Sequence, residues 1–156
     1  MIRKICKDEK FLAIVSEEAT KNDTNIGQDL LDTLEYHKDK CVGMAANMIS
    51  FSKRIIVFLN EGKKEIMYNP VIIKTFGEPY FVEEGCLSLN GLRKAKRYKK
   101  IQVEFFNSDF KKIQRTYSGF SCQIIQHEID HLSGILYYDR IDKKNPFLKK
   151  DNSIEI

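Results

Sequence analysis

Gln126-His127-Glu128-Ile129-Asp130-His131 lies in the last long element of the chain, a helical run over about Ser118 to Ser133, with Gly134 at the position that follows a helix end. Residues four apart stack on one face of a helix, so the imidazoles of His127 and His131 can reach one metal ion. Glu128, offset by one position, leans over the coordination position that two histidines leave open, where a carboxylate can take a proton from a bound water. The competing reading is a chance HExxH on a solvated helix, and a third ligand is needed to displace it.

Working outward, the middle of the chain reads as strands. Arg54-Ile55-Ile56-Val57-Phe58-Leu59 and Glu65-Ile66-Met67-Tyr68 flank a hairpin turn at Glu61-Gly62-Lys63-Lys64. Asn69-Pro70 is expected to break the second strand, and Val71 to Phe76 resumes it. Lys100 to Phe106 and Lys112 to Tyr117 form a second pair around Asn107-Ser108-Asp109. Toward the N-terminus, Ser16 to His37 reads as a polar turn and then a helix, with Ile26, Leu30, Leu31 and Leu34 at helical spacing and Thr24 or Asn25 as N-cap. Strands in the middle with helices toward both ends predict an α+β fold.

The composition agrees with one folded domain. The chain has 156 residues, 42% hydrophobic and 11% aromatic, which argues against disorder. No apolar run approaches the roughly 18 residues of a membrane span, and Met1-Ile2-Arg3-Lys4-Ile5 runs straight into charge, so a cytoplasmic protein without a membrane partner is expected. Cys6, Cys41, Cys86 and Cys122 are scattered with no framework spacing, which points to free thiols. The excess of 26 Lys and Arg over 22 Asp and Glu is too small to predict DNA binding. Arg93-Lys94-Ala95-Lys96-Arg97-Tyr98-Lys99-Lys100 is locally basic and is expected to be a solvated strand flank, with a weak footprint for RNA or the ribosome as the alternative. No composition shift marks a second domain; a single catalytic domain over 1–142 and a short basic tail over 143–156 are expected.

Spacing alone does not place the third ligand: the four cysteines, His37 and several acids are all candidates. Cys86 stands out within Glu83-Glu84-Gly85-Cys86-Leu87-Ser88, where the neighbouring glycine permits an unusual backbone and the preceding strand offers a rigid edge. With these residues set out, the chain resembles the peptide deformylases. Glu84-Gly85-Cys86-Leu87-Ser88 and Gln126-His127-Glu128-Ile129-Asp130-His131 are two of that family's three motifs, intact and in order. Met1 to Ile5, Tyr68 to Ile72 and Gly134 to Arg140 are similar too, so the resemblance runs from residue 1 to about Asp142 and sets aside a metallopeptidase.

The resemblance implies one divalent metal ion held by Cys86, His127 and His131, with Fe(II) in vivo and zinc, nickel or cobalt as other occupants; a thiolate with two imidazoles suits several of these. It implies hydrolysis of the N-formyl group from the formyl-methionine of nascent peptides, with Glu128 as proton carrier and the Leu87 backbone N–H as an oxyanion donor. Val42, Gly43, Phe120, Gln123 and Ile124 are the positions that would line the pocket for the methionine side chain, where Gln123 is an amide on an otherwise apolar face.

The third motif departs from the pattern. It reads Cys41-Val42-Gly43-Met44-Ala45-Ala46-Asn47-Met48, with Cys41 in place of the first glycine and Met48 in place of the glutamine that donates to the oxyanion. A thioether cannot donate a hydrogen bond. Met48 is expected to pack against the site wall, Cys41 to be a packed free thiol rather than a spare ligand, and turnover to be reduced. Two alternatives stay open: a metal- and peptide-binding protein on the same scaffold with little turnover, and an amide hydrolase acting on a different acyl group. A ribosome contact through the tail, at Lys143-Lys144 and Lys149-Lys150, is the weakest of the expected partners.

Overall fold

The computed structural model of the chain describes residues 1–88 and 92–135. The expected domain boundary at residue 142, the basic tail and the similar segment from Leu136 to Arg140 lie outside the described residues.

Ile55, Ile56, Val57 and Phe58 are four successive apolar residues, and all four are buried. Such a run fits only a strand covered on both faces. It forms β2 (Ile55–Asn60), which pairs antiparallel with β1 (Gly43–Ala45) on one side and β3 (Lys63–Phe76) on the other. β6 (Lys100–Phe106) and β7 (Lys112–Ser118) continue the sheet in the order β1-β2-β3-β6-β7, all antiparallel. In β6, Ile101, Val103 and Phe105 are buried while their neighbours are not, the alternation of a sheet with one face in the core. β4 (Tyr80–Glu84) and β5 (Arg93–Arg97) form a separate hairpin.

Two helices cover β1 and β2. α2 (Thr24–Tyr36) buries Ile26, Leu30 and Leu34, and α3 (Gly119–Leu132) is buried almost throughout from Cys122 to Leu132. A helix apolar on one side only would show a stripe of burial; one buried all round runs through the interior. α3 is thus the central helix, in keeping with the α+β fold of antiparallel sheets around a central HExxH helix, with an N-terminal helix, that the resemblance implies. A single short turn, α1 (Glu9–Leu12), is capped by Asp8, whose side chain accepts from the N–H groups of Lys10 and Phe11.

Two expectations are corrected. The start of α2 is not capped by Thr24 or Asn25: Thr20 and Asp23 cap a 3-10 turn at Lys21–Asp23 that leads into the helix, with the Thr20 N–H donating to the Asp23 carboxylate at 2.8 Å. Asn69-Pro70 does not interrupt the strand. Asn69 adopts φ +52 and opens a bulge between Tyr68 and Val71, while its side-chain amide pairs with both the N–H and the C=O of Ala19. A bulge is where a sheet tolerates a missing proline N–H, so β3 continues through it. At the end of α3, Gly134 has φ +71, and a Cβ there would fall 2.3 Å from the Ala13 carbonyl oxygen, so the chain turns only because this residue is glycine.

Candidate metal centre

Cys86 follows the end of β4, and His127 and His131 stand on consecutive turns of α3. Strand and helix bring three ligating atoms together: the Cys86 Sγ lies 3.4 Å from His131 Nε2, which lies 3.1 Å from His127 Nε2, and all three residues are buried. Ligands at tetrahedral angles around a zinc-sized ion, with metal–nitrogen and metal–sulfur bonds near 2.0 and 2.3 Å, stand about 3.3 to 3.6 Å apart. Two edges match that spacing, and the three ligating atoms all lie within 4.8 Å of one another, so the cluster can hold one small divalent ion. Its chemistry fits as well: two imidazole nitrogens this close need a proton or a cation between them.

The two histidines are held differently. His127 Nδ1 meets Glu84 Oε1 at 2.8 Å, which fixes the ring with Nε2 toward the cluster. Glu84 is itself clamped: Arg97 donates to it through Nε at 3.0 Å and Nη2 at 2.8 Å, and Gln123 Nε2 donates at 3.1 Å. The remaining Arg97 nitrogen, Nη1, donates to Asp130 at 2.8 Å. Burial pushes the Glu84 carboxyl up, but Arg97 and the His127 ring outweigh it and hold it down at about 2. Burial also opposes charge on His127, and Cys86 and Glu84 overcome this to raise it to about 10. His131 has no such partner among the described residues. Its Nδ1 is buried without a hydrogen bond from any of them, and burial, followed by the positive charge on His127, keeps it well below the ordinary range.

Glu128 points from the same helix toward β1. A Cβ on Gly43 would lie 2.9 Å from Glu128 Oε2 and 2.5 Å from the Ile124 side chain, so the backbone can pass here only at glycine. Both Glu128 oxygens are buried and accept no hydrogen bond from any described group, and burial raises the carboxyl to about 7. A buried carboxylate left open in this way, beside converging ligands, is poised for a group that is not protein.

Packed against α3, β1 leads into a 3-10 turn at Ala46–Ile49. Met48 is fully buried, as expected of a packed side chain, and its Sδ accepts from the Ala45 N–H at 3.4 Å. Asn47 is turned away, its Nδ2 donating to the His131 carbonyl at 2.8 Å. That carbonyl is one of a group at the end of α3 capped from afar, for the Leu132 carbonyl takes the Ser16 N–H and Arg54 Nη1. Cys41 is buried, with Sγ donating to the Gly43 carbonyl. Of the candidate pocket residues, Ile124 is fully buried beneath Gly43, Gln123 is buried with its amide on Glu84, Val42 is half-buried, and Phe120 on the first turn of α3 is 48% exposed.

The sequence of the basic stretch did not disclose Arg97. It is 2% exposed, not a solvated flank. Six basic residues in eight read as surface, yet the side chain that matters is turned inward by the alternation of β5, in which Ala95 and Arg97 are both buried.

Geometry and relatives agree. A family model described as polypeptide deformylase matches residues 2–147. The chain belongs to the polypeptide deformylase family. A peptide deformylase of Clostridium beijerinckii is 51% identical over 136 residues, spanning 87% of this chain and 99% of that one. Among solved structures, the peptide deformylase of Thermotoga maritima superposes with a TM-score of 0.83 at 30% identity, covering 91% of this chain and 99% of the other. The class I type b peptide deformylase of Acinetobacter baumannii with Met-Ala-Ser bound gives a TM-score of 0.81 at 26% identity, covering 90% and 99%. The fold is thus the deformylase α+β fold, and the protein is a metallohydrolase of the deformylase type with a Cys-His-His cluster able to hold one divalent ion. No helix among the described residues is long and apolar enough to cross a membrane.

Proposed function

We propose that the protein removes the formyl group from the N-terminal formyl-methionine of nascent peptides, in the cytoplasm, over a catalytic domain spanning residues 1–142. Cys86, His127 and His131 hold the ion, Fe(II) in the cell. The observation that carries this reading is Glu128: a buried carboxylate with both oxygens open, on the turn between the two ligand histidines and pressed against Gly43. The ion, when bound, supplies the Lewis acidity that makes water a nucleophile near neutral pH.

The chain's own groups do the rest. Glu128 accepts a proton from the attacking water and returns it to the amine nitrogen as the formyl C–N bond breaks, so a free amine and formic acid, which gives its remaining proton to solvent as formate, leave and the carboxylate is restored. The Leu87 N–H, next to Cys86, donates to the formyl oxygen as it gains charge. Val42, Gly43, Phe120, Gln123 and Ile124 receive the methionine side chain. Met-Ala-Ser bound to the Acinetobacter baumannii relative supports a peptide as the occupant.

Turnover is reduced by the wall opposite the ligands. Met48 Sδ is an acceptor already engaged by Ala45, and the Asn47 amide is engaged by the His131 carbonyl, so neither donates to the oxyanion. One missing donor costs about 10² to 10³ in rate. The same observation favours a second reading, a metal- and peptide-binding protein with negligible turnover. Iron-loaded protein assayed without oxygen on formyl-Met-Ala-Ser is expected to release formate measurably; no formate with iron, zinc, nickel or cobalt would leave only the second reading.

A further inference from the structure

A cavity of about 570 Å³ is lined by Lys4, Ile5, Lys7, His37 and Leu87. Its volume is in the range of small-ligand pockets. Its lining segments connect to those that carry the site. Leu87 is the residue after the proposed ligand Cys86. The segment carrying Lys4, Ile5 and Lys7 is bound to the Ala46–Ile49 turn, since the Cys6 N–H donates to the Met48 carbonyl at 2.7 Å. His37 caps α2, and its carbonyl accepts the N–H of Cys41, two residues before Gly43.

The lining has two chemistries. Ile5 and Leu87 are half-buried and apolar, whereas Lys4 and Lys7 are exposed and have no carboxylate partner among the described residues. The nearest acid in sequence, Asp8, has its side chain engaged in capping α1. Two unpaired ammonium groups and an imidazole around an apolar floor suit an anion on a short aliphatic stem.

We propose that this cavity is a substrate subsite for carboxylates, which selects peptides bearing acidic side chains just after the N-terminal methionine. The inference rests on the deformylase reading in one respect: a formyl group is a single carbon, so whatever fills a cavity beside the reacting centre belongs to the peptide. An extended peptide advances about 3.3 Å per residue, so the second and third residues are those within reach.

The test compares formyl-Met-Asp-Asp-amide with formyl-Met-Lys-Lys-amide, on the full-length metal-loaded protein at about 10 mM ionic strength, where screening is weak. The Asp peptide is expected to show about threefold to tenfold higher kcat/KM, carried by KM, and to lose the advantage at about 0.5 M salt. Binding of dye-labelled, unformylated Met-Asp-Asp-amide and Met-Lys-Lys-amide, read by fluorescence anisotropy, should show the same order without any turnover. In the double variant Lys4→Glu/Lys7→Glu the order should reverse. Equal affinity for the two peptides, or a preference that survives the double variant, overturns the subsite. A preference for the free-acid form of either peptide over its amide, with no effect of the side chains, assigns the cavity to a C-terminal carboxylate instead. If no formylated peptide is turned over, the deformylase reading fails while the anisotropy still decides the subsite.

Discussion

The two walls of the metal centre are built on opposite principles. On the ligand side, Glu84, Arg97, Gln123 and Asp130 form a closed network of charged hydrogen bonds that ends on His127. On the facing side, Met44 to Ile49 are buried and mostly apolar, and contribute backbone and a thioether. The first wall fixes a ligand by electrostatics that only the full set can satisfy. The second fixes shape by packing, which accepts many side chains of similar volume. The difference sets where substitution is tolerated: Met48 sits in a wall that asks mainly for volume, whereas removing Arg97 alone leaves the buried Glu84 and Asp130 without their cation.

Three experiments press on this contrast. The largest effect is expected at the ligands: Cys86→Ser or His131→Ala should reduce bound metal, measured by elemental analysis, from about one ion per chain to a small fraction, and full retention would refute the ligand assignment. Next, Arg97→Met should cost about 3–5 kcal/mol in urea unfolding, because Glu84 and Asp130 stay buried without their cation, while Met48→Leu on the apolar wall should cost under about 1.5 kcal/mol. Equal costs would erase the distinction between the walls. Last, Met48→Gln restores a donor and should raise kcat/KM on formyl-Met-Ala-Ser by up to about 10²-fold with little change in metal content. An unchanged rate would mean that the wall's missing donor does not limit turnover.

The parts legible in the sequence were those with a local cause. α3 and its stop at Gly134, the hairpins at Glu61-Gly62 and Asn107 to Asp109, and the pairing of His127 with His131 all follow from spacing within a dozen residues. The bulge at Asn69 was not legible, since it depends on Ala19, fifty residues away, to hold the asparagine amide. In the sequence Glu84 is only part of a motif and Arg97 only part of a basic run. Their contact is hidden even from strand register, for Arg97 sits opposite Tyr80 in the hairpin and Glu84 opposite Arg93. Charge counted along a chain gives no sign of which single guanidinium the fold turns inward.

The caps at the end of α3 bear on the order in which the molecule is made. The Leu132 carbonyl is claimed by Ser16 and Arg54, and the His131 carbonyl by Asn47. These closures span between 78 and 116 residues of chain. Contacts of such long sequence separation form late in folding. The helix that carries two of the three ligands is also the last described element to leave a ribosome, after every segment that ties it down. Metal uptake thus reports completion of the whole tertiary structure, and a chain interrupted before residue 131 lacks a ligand however well its sheet has formed.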